Sequence, residues 1–427
     1  MKKSTLFLSI LLLLSSCGNL HHPTSKTSHF SRLDQLFENQ QYFKLADEFK
    51  TYGSSLSDRE RLIISAKLNS VFNKKEVSNV AIEKLFKNHK HQLADSTKIQ
   101  LLEIEMNNSV LLYDYKKSLE IVERILAIPN DFDEEKRTDF ENNKTIFNIL
   151  KNVPKQTTSI DETSLQITKD IAGLSRIPIE LGPFAQSAVV DTGANFSVIT
   201  DSLALKSGLR ILDGTFKVTA ITGEKVDSKI AVAPTLYLGN TTLSSVIFLV
   251  LPQASLSFPE ANYTIEIIIG FPVIEALREI SIINDSTFYI PKKQSVLVAQ
   301  NLALSFLTPV VEVMENGNSL PFTFDTGATA TMLYHTYFNE NKEKILKSSP
   351  LDSSKIGGAG GVKILRNYKI PFTASISGNT FTLENTSVLI EEHLKDKAGI
   401  YGNLGKDVLK QFDTLTLNFD KMFLKLN

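Results

Sequence analysis

The chain has 427 residues, 42% of them hydrophobic and 22% charged, a composition typical of a soluble globular protein with more than one core. The formal net charge is −1, so no overall field would attract nucleic acid, and we expect no nucleic-acid partner. There is no Trp and a single Cys, which excludes an intramolecular disulfide framework.

Residues 1–17 have the layout of an export signal. Two lysines precede an apolar run from Leu6 to Leu14, which is too short to span a bilayer. The segment "LSSCG" around Cys17 resembles the bacterial lipobox, in which the Cys becomes the lipidated first residue of the mature protein. The alternative is an ordinary signal peptide with an incidental Cys. We expect lipidation at Cys17 and export to the cell envelope, anchored to a bacterial membrane, favouring the outer membrane and facing the periplasm or the surface.

Residues 18–29 are polar and aperiodic, which predicts a tether. From residue 30 to residue 153, apolar residues recur three and four apart, as in "SLEIVERILAI", and this predicts amphipathic helices. A weak repeat near the ~34-residue period of tetratricopeptide-like (TPR-like) hairpins is carried by three pairs: Tyr42/Ala46, Val77/Ala81 and Tyr115/Leu119. The usual Gly and Pro marks are missing, so an irregular helical bundle stays open. A stacked array would offer a concave surface to a protein partner.

Pro154 ends the helical pattern, and residues 154–164 are expected to form a linker. After it the period shifts towards two, as in "TFKVTAITG" and "VIFLVLP", which predicts an all-β barrel-like domain. Two short segments, "FPVIEALRE" and "LGKDVLKQF", are helical exceptions. The chain is therefore expected to be multidomain, with an α-helical region followed by two β lobes, at residues 165–300 and 301–427.

The β region carries the same landmarks twice. "AVVDTGANF" holds Asp191 and "FTFDTGATA" holds Asp325. A glycine after an apolar run and before a short helix, Gly270 or Gly405, follows each Asp at nearly the same interval. Asp285 and Asp420 then follow those glycines at equal intervals, at turns between strand-like segments. A single Asp-Thr-Gly is a weak signal, but landmarks in register across both halves indicate two homologous lobes.

This pattern resembles the retropepsin/pepsin class of aspartic proteases from about residue 161 to residue 427, and the helical region lies outside it. The resemblance implies a two-lobed barrel in which each lobe donates one Asp to a shared cleft. It makes Asp191 and Asp325 the expected catalytic pair. The residues expected to support the pair are Thr192, Gly193, Thr326, Gly327, Gly270 and Gly405.

Peptide hydrolysis by such a pair has a simple physical basis. Two adjacent carboxyl groups share one proton, because both cannot ionise comfortably at short range. The ionised member takes a proton from water while the protonated member donates to the substrate carbonyl. We therefore expect no cofactor and no metal, and the sequence has no His-Glu-x-x-His motif.

Glycine-rich hairpins in both lobes are candidates for flaps that close over a substrate. "VTAITGEKV" places Gly223 at one tip, and "KIGGAGGVK" places Gly358, Gly360 and Gly361 at the other. Neither segment carries the aromatic residue that pepsin-like flaps have. Ordinary glycine turns are therefore the alternative interpretation.

The leading hypothesis is a monomeric, lipid-anchored aspartic endopeptidase acting on a peptide or an unfolded protein. Two alternatives remain: a peptide-binding module that has kept the cleft but lost catalysis, and a scaffold protein in which the helical region does the work. Both aspartates are present, which argues against loss of catalysis.

Overall fold

The computed structural model describes residues 28–129, 132–219, 225–297, 299–358, 361–391 and 399–427. The predicted export signal with Cys17, and all of the predicted tether before Ser28, lie outside these residues. An α-helical region comes first and a β-rich region follows, as predicted for the fold class. Within the described ranges, no helix is both long and apolar enough to cross a membrane.

The helical region contains, among the described residues, α1 (His29–Glu38), α2 (Tyr42–Tyr52), α3 (Asp58–Val71), α4 (Lys75–Asn88), α5 (Asp95–Leu111), α6 (Tyr115–Ala127) and α7 (Glu134–Leu150). Consecutive helices pack as the hairpins α1–α2, α3–α4 and α5–α6, and α7 packs on α6. Side-chain caps fix several helix starts. One example is the capping box of α3, in which Ser57 and Glu60 each bond the other's backbone N–H.

The three hairpin turns share one backbone feature. The residue two positions before α2, α4 and α6 is left-handed each time, with φ of 54° at Gln40, 58° at Asn73 and 55° at Tyr113. The sequence register was wrong by two residues in the second hairpin, because Lys75 rather than Val77 begins α4 and Val77 is 54% exposed. The TPR-like character of the array stays a prediction.

The first β lobe comprises β1 (Thr157–Ser159), β2 (Thr163–Gln166), β3 (Thr168–Lys169), β4 (Ser175–Leu181), β5 (Phe184–Val190), β6 (Ser197–Thr200), α8 (Asp201–Lys206), β7 (Arg210–Ile211), β8 (Phe216–Thr219), β9 (Lys225–Leu238), β10 (Thr241–Leu251), β11 (Ser257–Phe258), β12 (Tyr263–Thr264), β13 (Ile267–Ile269), α9 (Phe271–Ala276), β14 (Glu279–Ile283) and β15 (Thr287–Ile290).

The second β lobe comprises β16 (Leu302–Ser305), β17 (Thr308–Glu315), β18 (Asn318–Phe324), β19 (Met332–Leu333), α10 (His335–Ser348), β20 (Leu351–Gly358), β21 (Gly361–Ile376), β22 (Asn379–Leu389), β23 (Gly402–Leu404), α11 (Lys406–Leu409), β24 (Thr414–Asn418) and β25 (Phe423–Leu426).

The two lobes have the same strand connectivity. In lobe one the neighbours run β10-β6-β13-β5-β4, and in lobe two they run β22-β19-β23-β18-β17. In each case the strand that precedes an Asp-Thr-Gly pairs in parallel with the strand that precedes the later glycine, β5 with β13 and β18 with β23. A third sheet, β2-β15-β14-β24-β25, takes strands from both lobes and joins them. The repeated connectivity supports the duplication inferred from the motifs.

Two local expectations differ from the structure. Residues 157–159 fall in the expected linker, yet they form β1 and pair with β10, as their β-branched threonines favour. The helical exceptions α9 and α11 are present, but α8 and the 14-residue α10 are additional helices. Helix α10 is rich in Lys and Glu and buries Tyr337, Phe338 and Ile345 on one side.

The hairpin turns of the helical region dock onto the β region. The amide Nδ2 of Asn73 donates to Oε1 of Glu275 and to the carbonyl of Phe419, both at 2.9 Å. Lys75 forms an ion pair with Glu275 at 2.7 Å, and both side chains are nearly buried. The hydroxyl of Tyr113 donates to the carbonyl of Pro272 at 2.9 Å. These polar contacts fix the helices against α9, directly behind the Gly270 segment.

Candidate active site

Each Asp-Thr-Gly begins where a parallel strand pair ends. The N–H of Asp191 donates to the carbonyl of Ile269 at 3.0 Å, and the N–H of Asp325 donates to the carbonyl of Leu404 at 3.1 Å. Both bonds continue the pairing of β5 with β13 and of β18 with β23. The last strand bond therefore fixes where each aspartate lies.

The glycine of each triplet orients the aspartate two residues before it. The N–H of Gly193 donates to Oδ1 of Asp191, and the N–H of Gly327 donates to Oδ1 of Asp325, both at 2.8 Å. Such Asx-type turns hold one carboxylate oxygen on the backbone.

The two loops are joined by reciprocal hydrogen bonds between buried threonines. The hydroxyl of Thr192 accepts from the N–H of Thr326 at 3.0 Å and donates to the carbonyl of Phe324 at 3.0 Å. The hydroxyl of Thr326 accepts from the N–H of Thr192 at 3.0 Å and donates to the carbonyl of Val190 at 2.9 Å. Both side chains are essentially inaccessible to water. Four bonds therefore lock one lobe to the other beneath the aspartates.

The lock brings the two aspartates into one site. A Cβ placed on Gly193 would lie 2.5 Å from Cγ of Asp325, and a Cβ placed on Gly327 would lie 2.5 Å from Cγ of Asp191. Each glycine therefore faces the carboxyl group of the opposite lobe at a distance that no side chain permits. The sequence-predicted pair and its four loop residues are thus gathered across the lobe boundary.

The later glycines support the loops from behind. A Cβ on Gly270 would lie 2.4 Å from the carbonyl oxygen of Phe196, and a Cβ on Gly405 would lie 2.5 Å from the carbonyl carbon of Ala330. Both glycines have ordinary negative φ values, so close approach rather than backbone conformation requires them. Each glycine lies directly against the loop that carries its aspartate.

Two hydroxyl side chains that the sequence analysis did not select complete this support. The N–H of Gly270 donates to Oγ of Ser197 at 3.1 Å, and the N–H of Gly405 donates to Oγ1 of Thr331 at 3.0 Å. Ser197 and Thr331 each follow their Asp by the same number of residues, and this shared register was a usable signal. In lobe two, the carboxylate of Asp407 also holds Thr331, at 2.7 Å to its hydroxyl.

A buried lysine links lobe two to the start of lobe one. Lys406 as a residue is 2% exposed. Its Nζ donates to the carbonyl of Gly173 at 2.6 Å. Burial lowers the pKa of Lys406 to about 8, and the nearby Lys169 adds to that effect. In the same turn, burial would raise the pKa of Asp170, but hydrogen bonds from Tyr263 and Arg176 hold it below its usual value. This turn packs beside Thr329 in the opposite Asp-Thr-Gly loop.

The two flap candidates occupy equivalent hairpins, β8–β9 in lobe one and β20–β21 in lobe two. Gly223 and Gly360 lie outside the described residues. Gly358 ends β20 and Gly361 begins β21 with φ +109°, a conformation that favours glycine. Gly357 lies close to lobe one. A Cβ placed on Gly357 would lie 3.6 Å from the ring of Phe258.

A pair of aromatic rings lies beside the second flap candidate, on a hairpin of lobe one. Phe258 and Tyr263 lie on β11 and β12 of lobe one and stack with ring centroids 6.0 Å apart. Asp325 is buried, at 7% exposed, and Asp191 is half-buried. In the described ranges, no group of three or more His, Cys, Asp and Glu side chains is placed to hold a metal ion.

Comparison with known proteins supports an aspartic protease-like domain. The family model described as "Aspartyl protease" matches residues 181–273, which contain Asp191 and Gly270 but not Asp325. No curated protein matches the chain. Among solved structures, basic 7S globulin from soybean is similar at 10% identity and a TM-score of 0.37, over 63% of this chain and 96% of that chain. The chain thus carries an aspartic protease-like domain behind an N-terminal helical region.

Proposed function

We propose that the chain is an aspartic endopeptidase that hydrolyses peptide bonds with a water molecule activated by Asp191 and Asp325. The observation that carries this proposal is the reciprocal lock of Thr192 and Thr326, with each loop glycine facing the opposite aspartate. A chain that needed only a folded β domain would have no reason to gather two carboxyl groups at its lobe boundary. Holding two carboxyl groups this close costs free energy, because their charges repel, and such costly pairs are typical of catalytic sites.

The proposed chemistry follows from that arrangement. Each carboxyl group is fixed through Oδ1 by its own loop glycine. The remaining oxygens share one proton, so one aspartate accepts the proton of the attacking water and the other donates to the scissile carbonyl. The proton balance is restored when the amine leaves. The dyad titrates as a unit, so a bell-shaped dependence of rate on pH is expected.

The test is incubation of the chain with a diverse peptide library from about pH 3 to about pH 8. Asp191→Asn and Asp325→Asn should each abolish cleavage, and the double variant should be no worse than either single one, because the pair acts as a unit. Asp285→Asn and Asp420→Asn are matched controls, since these turn aspartates lie outside the site. A single dyad variant that kept most of its cleavage activity would remove that aspartate from the proposed role.

The same assay separates the endopeptidase from a peptide-binding module. A module would bind library peptides with the wild-type chain and leave them intact at every pH. An endopeptidase confined to one polypeptide should also keep its specific activity on dilution, because both aspartates come from one chain. Activity that fell as a monomer–dimer equilibrium would argue against the monomer.

The proposal includes a location. Lipidation at Cys17 would tether the enzyme in the bacterial cell envelope, with the outer membrane favoured, and the predicted lipobox supports this. One acylated terminus anchors a protein without spanning the membrane. A labelled fatty acid should be incorporated into the wild-type chain and not into Cys17→Ala, because Cys17 is the expected site of acylation. No incorporation by the wild type, or equal incorporation by both chains, would refute this anchor.

A further inference from the structure

A cavity of about 630 Å³ lies between the helical region and the two β lobes. We call it the end cavity. Helix α7 and helix α5 form one wall, Asn195 and Phe196 of lobe one form a second, and the turn at Phe306 and Leu307 of lobe two forms a third. Its size falls within the about 300–1,000 Å³ range of ligand pockets.

The end cavity begins at the Asp-Thr-Gly loop. Asn195, an exposed lining residue, is four positions after Asp191 in the chain. Since a residue spans at most ~3.6 Å of chain, the Cα atoms of Asn195 and Asp191 are no more than about 14 Å apart. An extended peptide rises ~3.4 Å per residue, so the edge of the cavity at Asn195 lies within roughly four substrate residues of Asp191.

Helix α7 also reaches the first flap hairpin. The side-chain amide of Asn142 donates to the carbonyl of Lys217 on β8, and its Oδ1 accepts from the N–H of Lys217 at 3.2 Å. The helix is thereby fixed to the flap strand on one side and lines the end cavity on the other. Helix α7 is therefore held in a fixed position beside the first flap hairpin.

The lining is predominantly acidic. It contains the four carboxylates of Glu103, Asp133, Glu135 and Asp139 and one ammonium group, that of Lys136. Lys136 already pairs with Glu103 at 2.9 Å. Glu135 and Asp139 form no ion pair with any described residue. The pKa of Asp139 is raised, first by partial burial and then by the neighbouring carboxylate of Glu135, while Lys225 opposes these effects. A further cation placed here would offset the repulsion between the two carboxylates.

Apolar surface accompanies the charge. Phe140, Phe147 and Phe306 line the same space, and Phe306 leaves 55% of its surface exposed. A long side chain with an apolar stem and a cationic head matches this combination, because the stem packs on the rings while the head reaches the carboxylates.

We propose that the end cavity is a subsite that receives a lysine or arginine side chain of the substrate, roughly three to five residues from the scissile bond. The inference rests on the proposed endopeptidase function and adds a preference that the two lobes alone do not supply. The helical region thus acts as a wall of the cleft.

The experiment uses the full chain and three peptides with one cleavable core, carrying Lys, Ala or Glu in turn at each position three to five residues from the cut. The ratio of kcat/KM for the Lys peptide to that for the Ala peptide should be about 3 to 10 at the responsive position and should decrease with added salt. The double variant Glu135→Gln/Asp139→Asn should bring the ratio close to one. Glu134→Gln/Glu141→Gln removes the same charge from α7 away from the cavity and should leave the ratio unchanged.

A wild-type ratio near one at every position, or a preference that survives in Glu135→Gln/Asp139→Asn, would overturn the subsite. A chain that cleaves no peptide would instead refute the proposed function. In that case the subsite is tested by fluorescence anisotropy with labelled Lys and Ala peptides. Stronger binding of the Lys peptide that is lost in Glu135→Gln/Asp139→Asn supports it, and equal binding of the two peptides refutes it.

Discussion

Replacing Thr192 by Val tests the lock between the lobes with little change in side-chain shape. The hydroxyl of Thr192 serves two backbone groups of lobe two, the N–H of Thr326 and the carbonyl of Phe324, each at 3.0 Å. Thr192 is fully buried, so water cannot replace the lost partner. Leaving a buried donor or acceptor unsatisfied costs about 1–3 kcal/mol. Two such groups predict a loss of about 2–6 kcal/mol in the free energy of unfolding.

The assay is equilibrium unfolding in guanidinium chloride, followed by far-ultraviolet circular dichroism and by tyrosine fluorescence. Thr192→Ser is the control, because it keeps the hydroxyl and removes one methyl group, at a cost of about 1 kcal/mol. Peptide cleavage should fall in Thr192→Val by on the order of 10²-fold, since small displacements of reacting groups are costly. If Thr192→Val were as stable as Thr192→Ser, the lock would not hold the lobes together as argued.

Three further results are expected from unfolding and cleavage measurements. Gly270→Ala should lose about 1–3 kcal/mol of stability through overpacking against a backbone oxygen of the Asp-Thr-Gly loop. Gly357→Ala should stay close to wild type, because its Cβ would make only ordinary van der Waals contact, at 3.6 Å from the ring of Phe258. Gly193→Ala should abolish cleavage, because the new Cβ would overlap the opposite aspartate. Glu275→Gln should lower the free energy of unfolding by about 3 kcal/mol, because it leaves the nearly buried charge of Lys75 without its partner. Adding Lys75→Met to that variant should recover part of the loss.

Much of the candidate site could be predicted because its constraints are local and occur twice. An Asp-Thr-Gly after an apolar strand, and a later glycine before a short helix, are visible in the sequence even with almost no other identity between the halves. Ser197 and Thr331 were equally visible by register, but a hydroxyl residue in a polar loop carries little signal on its own. The duplication therefore predicted the loops better than it predicted their supports.

What could not be predicted depends on tertiary contacts. The left-handed turns of the helical hairpins use Gln40, Asn73 and Tyr113, three residue types with no shared sequence signature. The role of Asn73 and Tyr113 became visible only through their docking on α9. The aromatic surface beside the second flap comes from Phe258, far in sequence from the glycine-rich tip at Gly358. Contacts between distant segments leave no periodic pattern in the sequence.

The buried Lys406 makes the interface between the lobes sensitive to alkaline pH. Its pKa is about 8 in the folded chain, because burial and then Lys169 disfavour the charge, against 10.5 for an ordinary lysine. Below pH 8 both states hold the proton, so the burial cost is fully present. Between about pH 8 and about pH 10.5 the unfolded chain binds more protons, and stability therefore rises with pH.

Comparison with Lys406→Met isolates this contribution from the other titrating groups. The stability of the wild type relative to the variant should rise by about 2 kcal/mol between about pH 7.5 and about pH 10, measured by guanidinium unfolding at each pH. Lys410→Met, an exposed lysine on the next turn, should show no such rise. If the difference in stability between the wild type and Lys406→Met did not change with pH, the Nζ bound to Gly173 would have an ordinary lysine pKa. The Lys406–Gly173 contact would then be a charged clamp between the lobes without a burial cost.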